Sequence, residues 1–143
     1  MSAADNYALH VRWAEAENTH DVTVERWSEF VHDDVVVHHM DGIVVTGIED
    51  MVKNLVDSIA AMPDWKNTID DRAATDDRVT CRWRINGTPA DTGEPIEVAG
   101  ISFWTFEDGK VREGWVCSNA AHLSQQGVRA AGSFAIDAHP DYQ

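Results

Sequence analysis

Residues 96–119 read IEVAGISFWTFEDGKVREGWVCSN. Side chains of opposite character alternate along it, and Glu107-Asp108-Gly109 interrupts the alternation with turn chemistry. The stretch predicts two long strands, Ile96–Phe106 and Lys110–Asn119, folded back on each other. The same period of two runs upstream through Arg78–Asn86 and Lys66–Thr75, with turns at "TDD" and "NGTPADTGEP". Four strands in succession with polar turns between them predict a long antiparallel meander.

Before Lys66 the period changes to 3.6. Ile48, Met51, Leu55, Ile59 and Met62 form one apolar stripe, Pro63 ends it, and Thr46 with Glu49 gives the pattern of a capping box. The preceding residues 33–45, DDVVVHHMDGIVV, predict a strand at Val35–His39, a tight turn at Asp41-Gly42 and a returning strand at Ile43–Val45. Further forward, Asp21 is placed to cap a short helix carrying Val24, Trp27, Phe30 and Val31. Ala4, Tyr7, Val11 and Ala14 give the first twenty residues a helical spacing. Helices first and strands after predict an α+β domain. A curved antiparallel sheet wrapped around the N-terminal helices forms a cone with one internal apolar pocket, the natural ligand site. The domain is expected over residues 1–128, with 129–143, which include the weakly patterned AAGSFAIDAHPDYQ, as a weakly ordered tail.

A chain of 143 residues is one domain in size. Its 25 acidic residues against 11 basic ones give a net charge of −14, which argues against nucleic acid and anionic membrane surfaces as partners. The N-terminus lacks a cationic start followed by an apolar run, and no stretch reaches the ~18 apolar residues of a membrane span, so a cytoplasmic location is expected. Cys81 and Cys117 are then expected as free, buried thiols rather than a disulfide.

His38 and His39 are adjacent on a strand and must point to opposite faces, so they cannot both ligate one metal. His10, His20, His32, His122 and His139 form no tight ligand motif, and no bound metal or cofactor is expected.

The order of these elements and five phrases within it resemble the SnoaL-like polyketide cyclases of the nuclear-transport-factor-2-like superfamily. The phrases are FVHDDVVVHH, GIEDMVKNLVDSIAAMPD, ATDDRVTCRWRINGT, GISFWTFEDGKVREGW and LSQQG, together spanning roughly residues 5–128. The resemblance implies that Val37 and His39 face the cavity and His38 the other side. It likewise places Cys81, Trp83 and Ile85 inside, with Val98, Gly100, Ser102 and Trp104, and then Trp115, Cys117 and Asn119. It also implies a homodimer.

Two departures from the family stand out. The acidic residue common in its cyclases, four positions after the last strand's tryptophan, is Asn119 here. The Asp-Arg-Asp set of the related limonene epoxide hydrolases would fall on Ile85, Trp83 and Cys117, so that machinery is absent.

The expected function is cofactor-independent cyclase, isomerase or lyase (dehydratase) chemistry on a hydrophobic, carbonyl-bearing substrate of polyketide or aromatic type. His39 is the candidate base, because histidine titrates nearest neutrality, and Asn119 and Ser102 are the candidate oxyanion donors. Val37, Trp83, Ile85, Trp104, Trp115 and Cys117 are the candidate substrate contacts. A non-catalytic small-molecule binder and an epoxide hydrolase with altered machinery are the alternatives.

Overall fold

Ser2 opens the first helix. Its hydroxyl accepts a hydrogen bond from the Asp5 amide at 3.1 Å, while the Asp5 carboxylate accepts one from the Ser2 amide at 3.0 Å. This reciprocal cap starts α1 (Ala3–Asn18) in the computed structural model, which describes residues 1–40 and 42–119. The face that α1 buries carries Asn6, Leu9, His10, Trp13, Ala14 and Ala16; of the expected stripe only Ala14 is buried, and Tyr7 stays exposed. Asn6 and His10 are polar, so a search for apolar spacing alone selects the wrong face.

Thr23, not Asp21, caps α2 (Val24–Trp27), accepting from the Arg26 amide at 3.1 Å. Asp21 pairs instead with the Arg26 guanidinium at 3.4 Å. The chain then enters β1 (Val31–His39), turns with Gly42 at φ 95°, and returns in β2 (Val44–Thr46). Asp41, the first half of the expected turn pair, lies outside the described residues.

Thr46 is not the start of a capping box. It is held in the β1–β2 ladder opposite Val36, and Gly47 at φ 90° makes the reversal into α3 (Ile48–Ala61). A side chain rarely adopts that backbone conformation, so the junction needs glycine. The Gly47 amide is tied to the Val35 carbonyl at 2.7 Å.

Four long strands follow: β3 (Lys66–Ala74), β4 (Arg78–Gly87), β5 (Ile96–Glu107) and β6 (Lys110–Ser118). They differ from the expected ranges by a residue or so at their ends. The sheet order is β2-β1-β6-β5-β4-β3, antiparallel throughout except where β1 runs parallel to β6. The sheet is curved and unclosed; α1 lies against β3 and β4, and α3 against β1 and β2. Among the described residues, no helix is long and apolar enough to cross a membrane.

Two single-residue insertions break the alternation of the sheet. In β3, Ile69 pairs with Trp83 but Asp71 pairs with Arg82, so Asp70 is extra. In β6, Val111 pairs with Phe106 but Glu113 pairs with Thr105, so Arg112 is extra. Both bulged residues are held by opposite charges. Asp70 accepts two bonds from Arg84, at 2.7 and 2.8 Å, and Arg112 is gripped by Asp34 and by Glu107.

A bulge flips every side chain beyond it to the other face. After Arg112, Gly114, Val116 and Ser118 therefore lie opposite Trp104, Ser102 and Gly100, and Trp115, Cys117 and Asn119 point away from the cavity. Without the extra residue Trp115 would oppose Ser102 and share its cavity-facing side, the side on which the family resemblance placed both.

The two cysteines report this inversion directly. Cys117 is exposed, whereas Cys81 is buried and burial pushes its thiol up to about 11. A water-soluble disulfide reagent is expected to label Cys117 quickly in the native protein and Cys81 only on unfolding. If neither thiol reacts before unfolding, β6 carries no inversion.

Candidate functional site

The concave side of the sheet and the inner faces of the helices enclose a cavity of about 110 Å³. A water needs only ~10–15 Å³ on this scale, so the space takes a compact organic group. Five of the six tryptophans line it: Trp13 from α1, Trp27 from α2, Trp65 before β3, Trp83 from β4 and Trp104 from β5. Two of them lie over glycines that leave room for the ring. A Cβ on Gly114 would stand 2.1 Å from Trp104, and one on Gly100 would stand 2.3 Å from Trp83. Trp13 meets Trp104 edge-on, with centroids 4.9 Å apart.

Few polar groups enter this apolar lining, and several are visibly provided for. Trp83 Nε1–H donates to Ser102 Oγ at 2.8 Å, deep in the core. That bond uses a lone pair of the hydroxyl and fixes its oxygen, leaving the Ser102 O–H to donate. Arg72 Nε–H donates to His10 Nδ1 at 2.8 Å. Arg72 reaches the inner face because the Asp70 bulge sets it opposite inward-facing Cys81. Asn67 Nδ2–H donates to Glu17 Oε2 at 3.0 Å. Asn67 is itself held by a two-point contact with the Asn18 amide, at 2.8 Å in each direction.

Glu17 is only half-covered as a residue, but its carboxyl stands among the cavity walls. Burial pushes it up from the ordinary 4.5 to about 7, against a smaller opposing pull from the Asn67 hydrogen bond. A carboxyl that exchanges its proton near neutrality inside an apolar cleft is suited to acid–base exchange. His10 moves the other way. Burial first, and then the Arg72 charge, hold it down to about 3, so the ring is neutral.

Of the residues singled out from the sequence, His39, Ser102, Val37, Trp83, Ile85 and Trp104 all line this cavity. Trp115, Cys117 and Asn119 do not, because of the Arg112 bulge. Trp115 instead stacks on His38 across the outer face, ring centroids 5.3 Å apart and planes 15° from parallel. His38 also bonds Glu113 at 2.6 Å. Asn119 ties the edge of β5, its Oδ1 accepting from the Ala99 amide at 3.0 Å, so it offers nothing to an oxyanion in the cavity. Among the described residues, no group of three His, Cys, Asp or Glu side chains is arranged to hold a metal ion.

Four polar lining residues escaped the sequence reading: His10, Glu17, Asn54 and Asn67. A signal existed for the first two. Asn6, His10, Trp13 and Glu17 recur at helical spacing, a mixed stripe on one face of α1.

The raised Glu17 carboxyl has a signed consequence for stability. The folded state holds this proton more tightly than the unfolded chain, so ionisation between pH ~4.5 and ~7 costs folding free energy. Glu17→Gln keeps the Asn67 contact and removes that cost. Urea unfolding is expected to show the variant about equal to wild type at pH 4.5 and about 1–3 kcal/mol more stable at pH 8. A difference that does not change with pH contradicts the buried ionisable group.

Known proteins agree with this architecture. A family profile described as the SnoaL-like domain matches residues 10–114. Among solved structures, a proposed SnoaL-like polyketide cyclase from Jannaschia sp. CCS1 superimposes with a TM-score of 0.77 at 16% identity, covering 86% of this chain and 91% of that one. AclR, a proposed hydroxylase from Streptomyces galilaeus, gives a TM-score of 0.74 at 26% identity over 88% of this chain and 87% of its own. IdmH, a proposed polyketide cyclase from Streptomyces antibioticus, gives 0.69 at 26% identity over 86% and 99%. No curated protein matches the sequence. With the profile spanning most of the chain and the curved sheet and N-terminal helices in place, this protein belongs to the SnoaL-like family.

Proposed function

We propose that this chain is a SnoaL-type enzyme that performs acid–base chemistry on a hydrophobic, carbonyl-bearing small molecule, using its own side chains. The observation that carries the reading is the convergence of Glu17, His39 and Ser102 on one apolar cavity. His39, from the end of β1, takes a proton from the carbon beside the carbonyl. Glu17, which titrates at about 7 and so holds its proton about half the time at neutral pH, gives or shares a proton at the carbonyl oxygen. The Ser102 O–H donates to the same developing charge, its oxygen held by Trp83. Indole walls suit an aromatic or polycyclic substrate, since flat rings lie well against flat rings.

An enolising site can close a ring, shift a double bond or eliminate water, depending on what the substrate offers next to the enolate. The similarity to proposed polyketide cyclases supports a substrate with several carbonyls. The competing reading, a binder without chemistry, keeps the apolar cavity and drops the proton transfer.

Deuterium exchange separates the two. The α-protons of 2-tetralone in D₂O are expected to exchange faster with the protein than with buffer. His39→Ala is expected to slow that exchange by ~10²-fold or more, the usual worth of a positioned base. Glu17→Gln removes the titrating acid and flattens the pH profile around 7. Saturable binding of the ketone with exchange no faster than in buffer would leave the protein a binder.

A further inference from the structure

We propose that Arg72 is a positioning residue that locks His10 as a neutral Nε2–H donor, and that His10 is a further donor, beside Glu17 and Ser102, to an uncharged carbonyl oxygen of the ligand. The ligand half of this inference rests on the small-molecule reading of the cavity; the ring-locking half does not.

The chemistry of the contact fixes the proton. Arginine keeps its charge in proteins and has only donors, so the nitrogen facing Arg72 Nε at 2.8 Å must present a lone pair. The nitrogen in question is Nδ1. A proton there would set two N–H groups against each other beside a cation. The ring proton is therefore on Nε2. A second proton is disfavoured as well, because the ring is buried against Trp13 and lies beside the arginine charge. The charged or titratable groups around it are Arg72 from β3, Cys81 from β4 and Glu17 two turns along α1.

The geometry gives this lock a direction. The guanidinium also lies over the Tyr7 ring, 5.7 Å from its centre, so Arg72 is held from a second side. The His10 ring lines the cavity, and its one side-chain hydrogen bond among the described residues is the one that Nδ1 accepts from Arg72. A neutral donor of fixed orientation, offered to an apolar space, selects an uncharged acceptor. It gains when that acceptor becomes an oxyanion, and it needs no proton transfer to do so. His10 is thus a specificity group for the carbonyl end of the ligand, whereas Glu17 and His39 exchange protons.

The test uses the full chain labelled with ¹⁵N, and the His10 ring is assigned by its disappearance in His10→Gln. Long-range ¹H–¹⁵N spectra from pH 5 to 8 are expected to show a protonated Nε2 and an unprotonated Nδ1 that do not titrate. In Arg72→Leu the ring is expected to become a tautomer mixture that titrates within this range. In Arg72→Gln, whose amide can still donate to Nδ1, the Nε2–H form is expected to return. A proton on Nδ1, or a ring that titrates normally in wild type, overturns the lock.

Acetophenone and ethylbenzene test the ligand half. In His10→Phe, acetophenone is expected to lose about tenfold in affinity, one hydrogen bond's worth, while ethylbenzene binds as before. Equal losses for both overturn the carbonyl-donor role. If neither probe binds wild type, the small-molecule reading of the cavity fails and the donor role fails with it, while the ring-nitrogen spectra still decide the lock.

Discussion

A cavity walled by indole rings and aliphatic carbon admits a polar group only if that group is neutral or paired. Burying an unpaired polar atom costs about 1–3 kcal/mol, and an unpaired charge costs far more. Three contacts in the interior meet this constraint, while the Trp13 and Trp65 indole nitrogens and Asn67 Oδ1 are buried with no partner among the described residues. Ser102 is tied to Trp83, His10 to Arg72, and Glu17 to Asn67. In each pair one member fixes the other while leaving it a free valence: the serine O–H, the imidazole Nε2–H and the second carboxyl oxygen. The same desolvation moves the two cavity-lining ionisable groups of α1 in opposite directions, the Glu17 carboxyl up and the His10 imidazole down, in each case toward the neutral form.

Which side chains receive that environment is decided by two extra residues in the sheet. Asp70 turns Arg72 inward to reach His10, and Arg112 turns Trp115, Cys117 and Asn119 outward. Each bulge is clamped by charged neighbours on the outer face, so the surface ion pairs bear on the interior by holding the register. The outward turn also accounts for the missing family acid. Position 119 is outside the cavity here, where its Oδ1 accepts from the Ala99 amide and a carboxylate would have no access to a ligand inside.

The fold was largely legible because it rests on periodicity. The change from 3.6 to 2 at Lys66 and the turn residues marked four strands to within a residue or so, and Pro63 marked the end of α3. Part of the site was legible through the family resemblance, which set the inward parity of Val37, His39, Trp83, Ile85, Ser102 and Trp104, and all six line the cavity. Strand alternation cannot reveal a bulge, since an inserted Arg112 looks like any other strand residue. Nor does apolar spacing reveal a helix face that buries Asn6 and His10 and carries Glu17 to the cavity, because its purpose is to bring polar groups inside. Thr46 misled for a related reason: the residues Thr46 and Glu49 fit a cap, but the hairpin ladder took Thr46 first.

Helix α1 brings His10 and Glu17 to a chamber whose other polar lining residues are His39, Asn54, Asn67 and Ser102, and the proposed acid–base chemistry depends most on Glu17. The ¹³C chemical shift of the Glu17 carboxyl, followed through a pH titration of the native protein, measures this directly. A midpoint close to 7 is predicted. A midpoint at the ordinary 4.5 would contradict it, placing Glu17 in water as one more carboxylate of an acidic surface.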